Sequence, residues 1–205
     1  MAASILNSRY LVWLILALPA IPFIDELINP SRYYPEMMQR SGILSIQLLV
    51  FTLSITPATL LMKPFHLGRI ISRWLLAKRK YIGLASAGYA MIHTILYLRY
   101  VSWDWHLALL EARDWSFLTG WIAMVLFVIV AGISNRPGIK RLGIFWKPVQ
   151  RLSYPIVLFG FLHWIELDFF IQDAMVWIVP LIVAKFVHVI LVMTPSVNRQ
   201  IGKSR

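Results

Sequence analysis

Two histidines stand inside long apolar segments of this sequence. His93 lies in SAGYAMIHTILYLRY, residues 86–100, and His163 lies in SYPIVLFGFLHWIEL, residues 153–167. A titratable side chain inside such a run costs free energy and is a functional-site candidate by default. Imidazole nitrogens bind haem iron and other metals, so the pair predicts a metal or haem site. The alternative is that each histidine only makes a hydrogen bond to a neighbouring helix.

The composition indicates an integral membrane protein. The chain has 205 residues, of which 59% are hydrophobic, and contains no cysteine. The apolar excess falls into runs of about 20 residues, the length that crosses a hydrocarbon core of about 30 Å. The lack of cysteine excludes disulfides, thiolate-ligated haem and cysteine-ligated iron–sulfur clusters.

The apolar runs predict an all-α membrane protein, a six-transmembrane-helix bundle that forms a single domain over residues 1–205. A cleaved signal peptide is the alternative interpretation of the first run. The six predicted helices cover about residues 11–28, 42–62, 81–101, 115–133, 152–170 and 174–193.

The charged residues predict the orientation of this bundle. Fifteen of the 20 Lys and Arg residues fall on one side of the predicted helices, and all nine acidic residues fall on the other. Short basic loops stay in the cytoplasm, so we expect both termini to be cytoplasmic. The net charge of +11 is then mainly a topology signal, with binding of anionic membrane lipid as a by-product. Nucleic-acid binding is disfavoured, because no solvated domain carries the charge.

The third and fifth predicted helices run in the same direction and place their histidines at one depth. His93 lies about 18 Å and His163 about 16 Å from the cytoplasmic start of its helix, at about 1.5 Å per residue. Two imidazoles at one level can supply both axial ligands of a haem. No further strong ligand shares that level, which disfavours a zinc site. We therefore predict a haem between helices three and five.

Residues near the two histidines fit this prediction. A small residue lies about one turn before each of them, Ala90 on one helix and Gly160 on the other, and would let a flat macrocycle approach. Tyr97 could form a wall of the site, although ordinary helix packing also explains it. Arg99 lies about 9 Å further outward and could pair with haem propionates, or it could be an interfacial charge.

Four other side chains need an interpretation. Lys185 and His188 are three residues apart on the sixth predicted helix and share a face. We expect Lys185 to snorkel to the inner surface, and His188 is a candidate for a quinone or proton-relay site. His66 and His106 fall in predicted loops, and His106 would lie where an outer electron acceptor docks.

Four stretches resemble the ferric-reductase-like transmembrane family, over about residues 42–163. They are LLVFTLSITPATLL, KRKYIGLASAGYAMIHTILYL, FLTGWIAM and RLGIFWKPVQRLSYPIVLFGFLHW. The resemblance is strongest to haem-binding subunits of bacterial methionine sulfoxide reductase systems. It implies a multi-pass b-type cytochrome of the bacterial inner membrane that moves electrons to an outward-facing acceptor.

The resemblance also implies partners and cofactors. The acceptor would be a periplasmic molybdopterin enzyme that repairs oxidised methionine, and the donor a cytosolic flavin reductase or membrane quinol. Flavin, as FMN, is a candidate cofactor. Similar members carry another histidine 13 residues before the one matched by His163, where this chain has Gln150. Its partner in two-haem relatives would fall near Arg79. We therefore expect one haem b, with a quinone or flavin near Gln150, Arg79 and His188.

Two other functions fit the same residues. The chain could be the core of a ferric or other metal reductase that lacks its own flavin domain. It ends about a dozen residues after the sixth predicted helix, so we expect any flavin and nicotinamide module in another protein. A non-redox membrane anchor, with the histidines as interhelical hydrogen-bonders, is the third possibility.

Overall fold

The computed structural model describes residues 8–62, 64–167 and 171–193, and within these ranges every regular element is a helix. Ten α-helices and one short 3₁₀ turn, Gly143–Phe145, occur there. The α-helices are α1 Arg9–Ala17, α2 Ala20–Ile28, α3 Tyr34–Met62, α4 His66–Tyr100, α5 Trp105–Glu111, α6 Trp115–Ile133, α7 Arg136–Leu142, α8 Trp146–Gln150, α9 Ser153–Leu167 and α10 Ile171–Met193.

The protein is an integral membrane protein with four to five candidate spans in the described residues. Helices α3, α4, α6 and most of α10 are each long and apolar enough to cross a membrane. Helices α1 and α2 meet the same test together, with a bend of 50° between them, and can form one broken span. Helix α9 is apolar but has only 15 residues, about 22 Å of helix. The predicted fifth helix extends to residues 168–170, which lie outside the described residues.

Helices α3 and α4 both begin earlier than the hydropathy pattern predicts. Helix α3 starts at Tyr34 rather than residue 42, with Pro35 and Glu36 in its first turn, where both residue types favour helix initiation. Helix α4 has 35 residues and starts at His66 rather than residue 81. Residues 66–80 contain good helix formers and no proline, so the helix continues beyond the apolar part.

The prediction that His66 and His106 lie in loops is therefore wrong. His66 is the first residue of α4, and His106 lies in the first turn of α5. Helix α5 forms there because the Asp104 carboxylate accepts hydrogen bonds from the backbone N–H groups of His106 and Leu107. Both histidine side chains are exposed.

Helices α3 and α4 form the centre of the bundle through a reciprocal pair of serines. Ser45 Oγ donates to the carbonyl of Ser86 at 2.9 Å, and Ser86 Oγ donates to the carbonyl of Ser45 at 2.7 Å. Both serines are buried, and their small size lets the two helix backbones approach closely. This pair sets the position of α4 against α3.

Other contacts place the remaining helices around this pair. Helix α9 packs mainly against α6 and also against α3, and α10 packs against α3. Tyr89 donates from α4 to the carbonyl of Leu16 at 2.6 Å, which ties α1 to the bundle. The main apolar core, which includes Leu53, Ile156 and Phe161, lies between α3, α6, α9 and α10. The bundle thus brings α4 and α9 to opposite sides of one interior space.

We expect Ser45→Ala and Ser86→Ala each to lower the free energy of unfolding by about 0.6–1.7 kcal/mol, the range of interhelical hydrogen bonds in membrane proteins. Each change removes one of the two reciprocal bonds. Unfolding of the purified protein in mixed micelles by a denaturing detergent measures the effect.

Ser54→Ala is the matched control, because the Ser54 hydroxyl bonds to the Val50 carbonyl of its own helix. We expect a smaller loss for this variant. Equal losses for Ser54→Ala and Ser86→Ala would show that the reciprocal pair has no special role in joining α3 to α4.

Candidate functional site

The rings of His93 and His163 lie side by side in the interior of the bundle. Helix α4 carries His93 and α9 carries His163, and their ring centroids are 6.1 Å apart with an angle of 75° between the ring planes. Imidazole nitrogens lie about 2 Å from a bound metal and each ring centroid about 1 Å further, so coaxial ligands have centroids about 6 Å apart. The observed spacing therefore suits two axial ligands of a single metal ion.

Each ring makes a hydrogen bond to a backbone carbonyl of a neighbouring helix, α3 for His93 and α6 for His163. Nδ1 of His93 donates to the carbonyl of Met38 on α3 at 2.8 Å. Nδ1 of His163 donates to the carbonyl of Ser116 on α6 at 2.6 Å. A carbonyl oxygen only accepts, so both Nδ1 atoms carry the proton and both Nε2 atoms keep a lone pair.

The Nε2 atoms are available for a ligand. Among the residues that the structure describes, neither Nε2 has a hydrogen-bond partner, because the recorded bonds of both rings are made by Nδ1. A buried neutral imidazole with its Nδ1–H satisfied presents one free nitrogen donor. The pair thus offers two nitrogen donors and no charge.

Two glycines allow α3 and α6, the helices whose carbonyls accept from the histidines, to approach the rings. A Cβ atom at Gly42 on α3 would lie 3.0 Å from the His93 ring, and a Cβ at Gly120 on α6 would lie 2.8 Å from the His163 ring. Real Cβ contacts are rarely this close. Neither glycine is among the site residues predicted from the sequence, although Gly120 stands in the FLTGWIAM stretch. A glycine inside an apolar helix, where it weakens the helix, was the available signal.

The histidines face a cavity of about 360 Å³, within the range of ligand-binding pockets. Of the residues predicted around the site, Ala90, Tyr97 and Gly160 line it. Its walls are mainly apolar and aromatic, with Trp121, Phe127 and Trp164 among them. Gly160 has an additional role, because a Cβ there would collide with the Ile46 side chain of α3.

Polar side chains also line the cavity. Gln39, Tyr97, Tyr100 and Glu111 are among them, and the Tyr97 hydroxyl donates to the Glu111 carboxylate at 2.7 Å. Arg99, the predicted propionate partner, does not line the cavity. In the described part of the chain, no Lys or Arg lines this cavity.

The predicted inner region is separate from the cavity. Arg79 donates to Thr56 Oγ1 on α3 at 2.9 Å, and Gln150 Nε2 donates to Ser134 Oγ at 2.8 Å. The Nδ1 atom of His188 is buried, and it has no hydrogen-bond partner among the residues that the structure describes. None of Arg79, Gln150 and His188 lines the cavity at the histidine pair.

The structure also places Lys185, His66 and His106, three side chains that were predicted to lie near the membrane surfaces. Lys185 Nζ donates to the Tyr154 hydroxyl of α9 at 2.9 Å, so Lys185 joins α10 to α9 in addition to any snorkelling. His66 and His106 do not line the cavity. Within the described residues, no group of three or more His, Cys, Asp or Glu side chains is arranged to hold a metal ion.

The family described as "Ferric reductase like transmembrane component" matches residues 41–161, which include His93 and end two residues before His163. No solved structure matches the chain.

Two curated relatives are named "Protein-methionine-sulfoxide reductase heme-binding subunit MsrQ". The one from Rhizobium meliloti is 32% identical over 139 residues, which is 65% of this chain and 59% of the relative. The one from Azospira oryzae is 26% identical over 163 residues, which is 76% of this chain and 66% of the relative. The matches thus span about three fifths to two thirds of these relatives. On the evidence of the family match, which covers more than half of its length, the chain belongs to the ferric reductase like transmembrane component family.

Proposed function

We propose that this protein is a b-type cytochrome subunit in which His93 and His163 hold one haem b and pass electrons across the membrane. The observation that carries the proposal is the ring pair itself. The centroids are 6.1 Å apart, and both Nδ1 atoms are bound to carbonyls. This leaves two Nε2 donors for the two axial positions of one iron.

The surroundings fit a haem better than a bare metal ion. A bare zinc site needs about four ligands, whereas this site offers two neutral nitrogens in an apolar cavity. An iron porphyrin supplies its own four equatorial nitrogens and, when bound, transfers single electrons. Ala90 and Gly160 leave space beside the histidines, and aromatic side chains form much of the wall. With both axial positions taken by histidine, the site favours electron transfer over oxygen binding.

The direction of transfer follows from the charge distribution. We place both ends of the chain in the cytoplasm, with six spans in a single domain, of which α1 with α2 is the first and α9 the fifth. In this orientation Met38 and Ser116 lie near the outer ends of their helices, so the histidine pair lies in the outer half of the membrane. The acceptor is then an outward-facing protein, a periplasmic methionine sulfoxide reductase as in the system for which the relatives are named.

The inner half of the bundle supports a single haem. Gln150 and Arg79 stand where two-haem relatives would carry ligands, and each is engaged in a hydrogen bond to a hydroxyl, Ser134 or Thr56. Neither side chain is a usual haem ligand. Electrons therefore enter from a cytosolic flavin reductase or a quinol, through a quinone or FMN near Gln150, Arg79 and His188. Nδ1 of His188, which has no partner in the described part of the chain, supplies a hydrogen-bonding group for such a headgroup.

We expect His93→Ala and His163→Ala each to lose most of the bound haem, because each removes one axial ligand. Absorption spectra of protein purified from haem-replete cells measure this through the Soret band and the reduced α and β bands. His66→Ala and His106→Ala are the controls, because both side chains are exposed and outside the cavity. Haem loss in His66→Ala with retention in His163→Ala would refute the ligand assignment.

A pyridine haemochrome assay gives the ratio of haem to protein. We expect one haem per chain, because the structure brings together one histidine pair among the described residues. A ratio of two would contradict the interpretation of Gln150 as a lost ligand position. A ratio near zero in haem-replete preparations would remove the redox function altogether.

We expect Gly120→Ala to weaken haem retention by about tenfold, the scale of changes that displace a metal-binding histidine. The new Cβ would lie 2.8 Å from the His163 ring and push it out of position. Gly42→Ala, with a contact of 3.0 Å, should have a smaller effect of the same kind. Release of haem to apomyoglobin measures retention.

The matched control is Gly132→Ala on the same helix, α6, where the new Cβ meets nothing within 4 Å. Gly88→Ala on α4 is equally open. Both controls gain helix propensity without touching a ring. If Gly132→Ala releases haem as fast as Gly120→Ala, the effect is a general property of the helices and the close approach to His163 is irrelevant.

A further inference from the structure

The two histidines rest on the same local arrangement, repeated on two different helices. In each case the carbonyl that accepts from the histidine belongs to residue n, a hydroxyl residue stands at n+3, and a glycine stands at n+4. On α3 these are Met38, Ser41 and Gly42. On α6 they are Ser116, Thr119 and Gly120.

In both copies the hydroxyl shares the carbonyl with the histidine. Ser41 Oγ donates to Met38 O at 2.6 Å, and Thr119 Oγ1 donates to Ser116 O at 2.7 Å. Both hydroxyl residues are fully buried, at 0% exposure. Ser41 Oγ also lies 3.5 Å from Nδ1 of His93, at the outer limit of a hydrogen bond. Each carbonyl oxygen therefore accepts from an imidazole and a hydroxyl at once.

Sharing an acceptor weakens each of its bonds. The histidine N–H donates less strongly to a carbonyl that also accepts a hydroxyl proton, so Nε2 becomes a less electron-rich ligand. A less electron-rich ligand stabilises the oxidised iron less. Outer-shell hydrogen bonding of this kind is one of the ways a protein sets the reduction potential of a haem.

We propose that Ser41 and Thr119 are positioning residues that set the strength of the histidine-to-carbonyl bonds and, through them, the reduction potential of the iron. The inference rests on the proposed function, since it needs an iron bound by both histidines. It goes further by assigning a role to two buried hydroxyls that do not line the cavity.

Hydroxyls that bond back to their own helix are common, and this chain offers controls for that local role. Thr59 donates to the carbonyl of Thr56, also at n+3, at 2.8 Å. Ser54 donates to the carbonyl of Val50 at 2.8 Å. Neither of these carbonyls accepts from a histidine. A purely structural hydroxyl should therefore behave alike at Thr59 and at Thr119.

The test is a spectroelectrochemical titration of the purified full chain. We expect Ser41→Ala and Thr119→Val each to lower the reduction potential, by about a threefold to tenfold change in the ratio of reduced to oxidised protein. A tenfold change equals about 59 mV for one electron. The low-spin ferric electron paramagnetic resonance spectrum should change with it. Thr119→Ser keeps the hydroxyl and should retain the wild-type potential, as should Thr59→Val and Ser54→Ala.

The outcomes separate this inference from the proposed function. Wild-type protein without a haem spectrum would refute the proposed function. Haem-loaded Ser41→Ala and Thr119→Val with unchanged potentials would overturn the inference and leave the function intact. Haem loss from both variants, with retention in Thr59→Val, would also overturn it, because the hydroxyls would then hold the fold of the site rather than its potential.

Discussion

The structure depends on the hydrogen bonds between two half-buried imidazoles and backbone carbonyls of neighbouring helices. A polar N–H group in an apolar interior costs free energy unless it has an acceptor, and here main-chain oxygens of α3 and α6 supply it. These bonds determine which nitrogen of each ring remains free. They also require that α3 and α6 come within hydrogen-bond distance of side chains from α4 and α9. Gly42 and Gly120 follow from that requirement.

The bundle can be understood as two helix pairs that meet at the histidines. Helix α4 pairs with α3 through Ser45 and Ser86, and α9 pairs with α6. In each pair one helix contributes the histidine and the other contributes its carbonyl. The ring spacing is therefore set by how the two pairs pack, through core residues such as Ile156 and Phe161. A change in this core would alter the site without touching a ligand.

Much of this site could be predicted from sequence, because titratable residues stand out in apolar runs and a constant rise per residue converts position into depth. That argument identified His93 and His163, which the structure places side by side. The carbonyls of Met38 and Ser116 could not be found this way, since every residue has one. Arg99, which does not line the cavity, shows that depth alone does not give the face of a helix. The early start of α4 could not be predicted from hydropathy, because hydropathy marks the apolar part of a helix and not its full length.

Helix α4 runs without a break for 35 residues, about 52 Å, which exceeds a hydrocarbon core by about 20 Å. It carries His93 toward one end and the basic residues of its first turns at the other. A helix without a break transmits a tilt at one end to its other end. A protein that binds the basic end of α4 and tilts it would displace the other end of the helix, and the imidazole of His93 would move with it. A displacement of the basic end would thus reach the His93 ring through the helix itself, without any intervening chain of side chains.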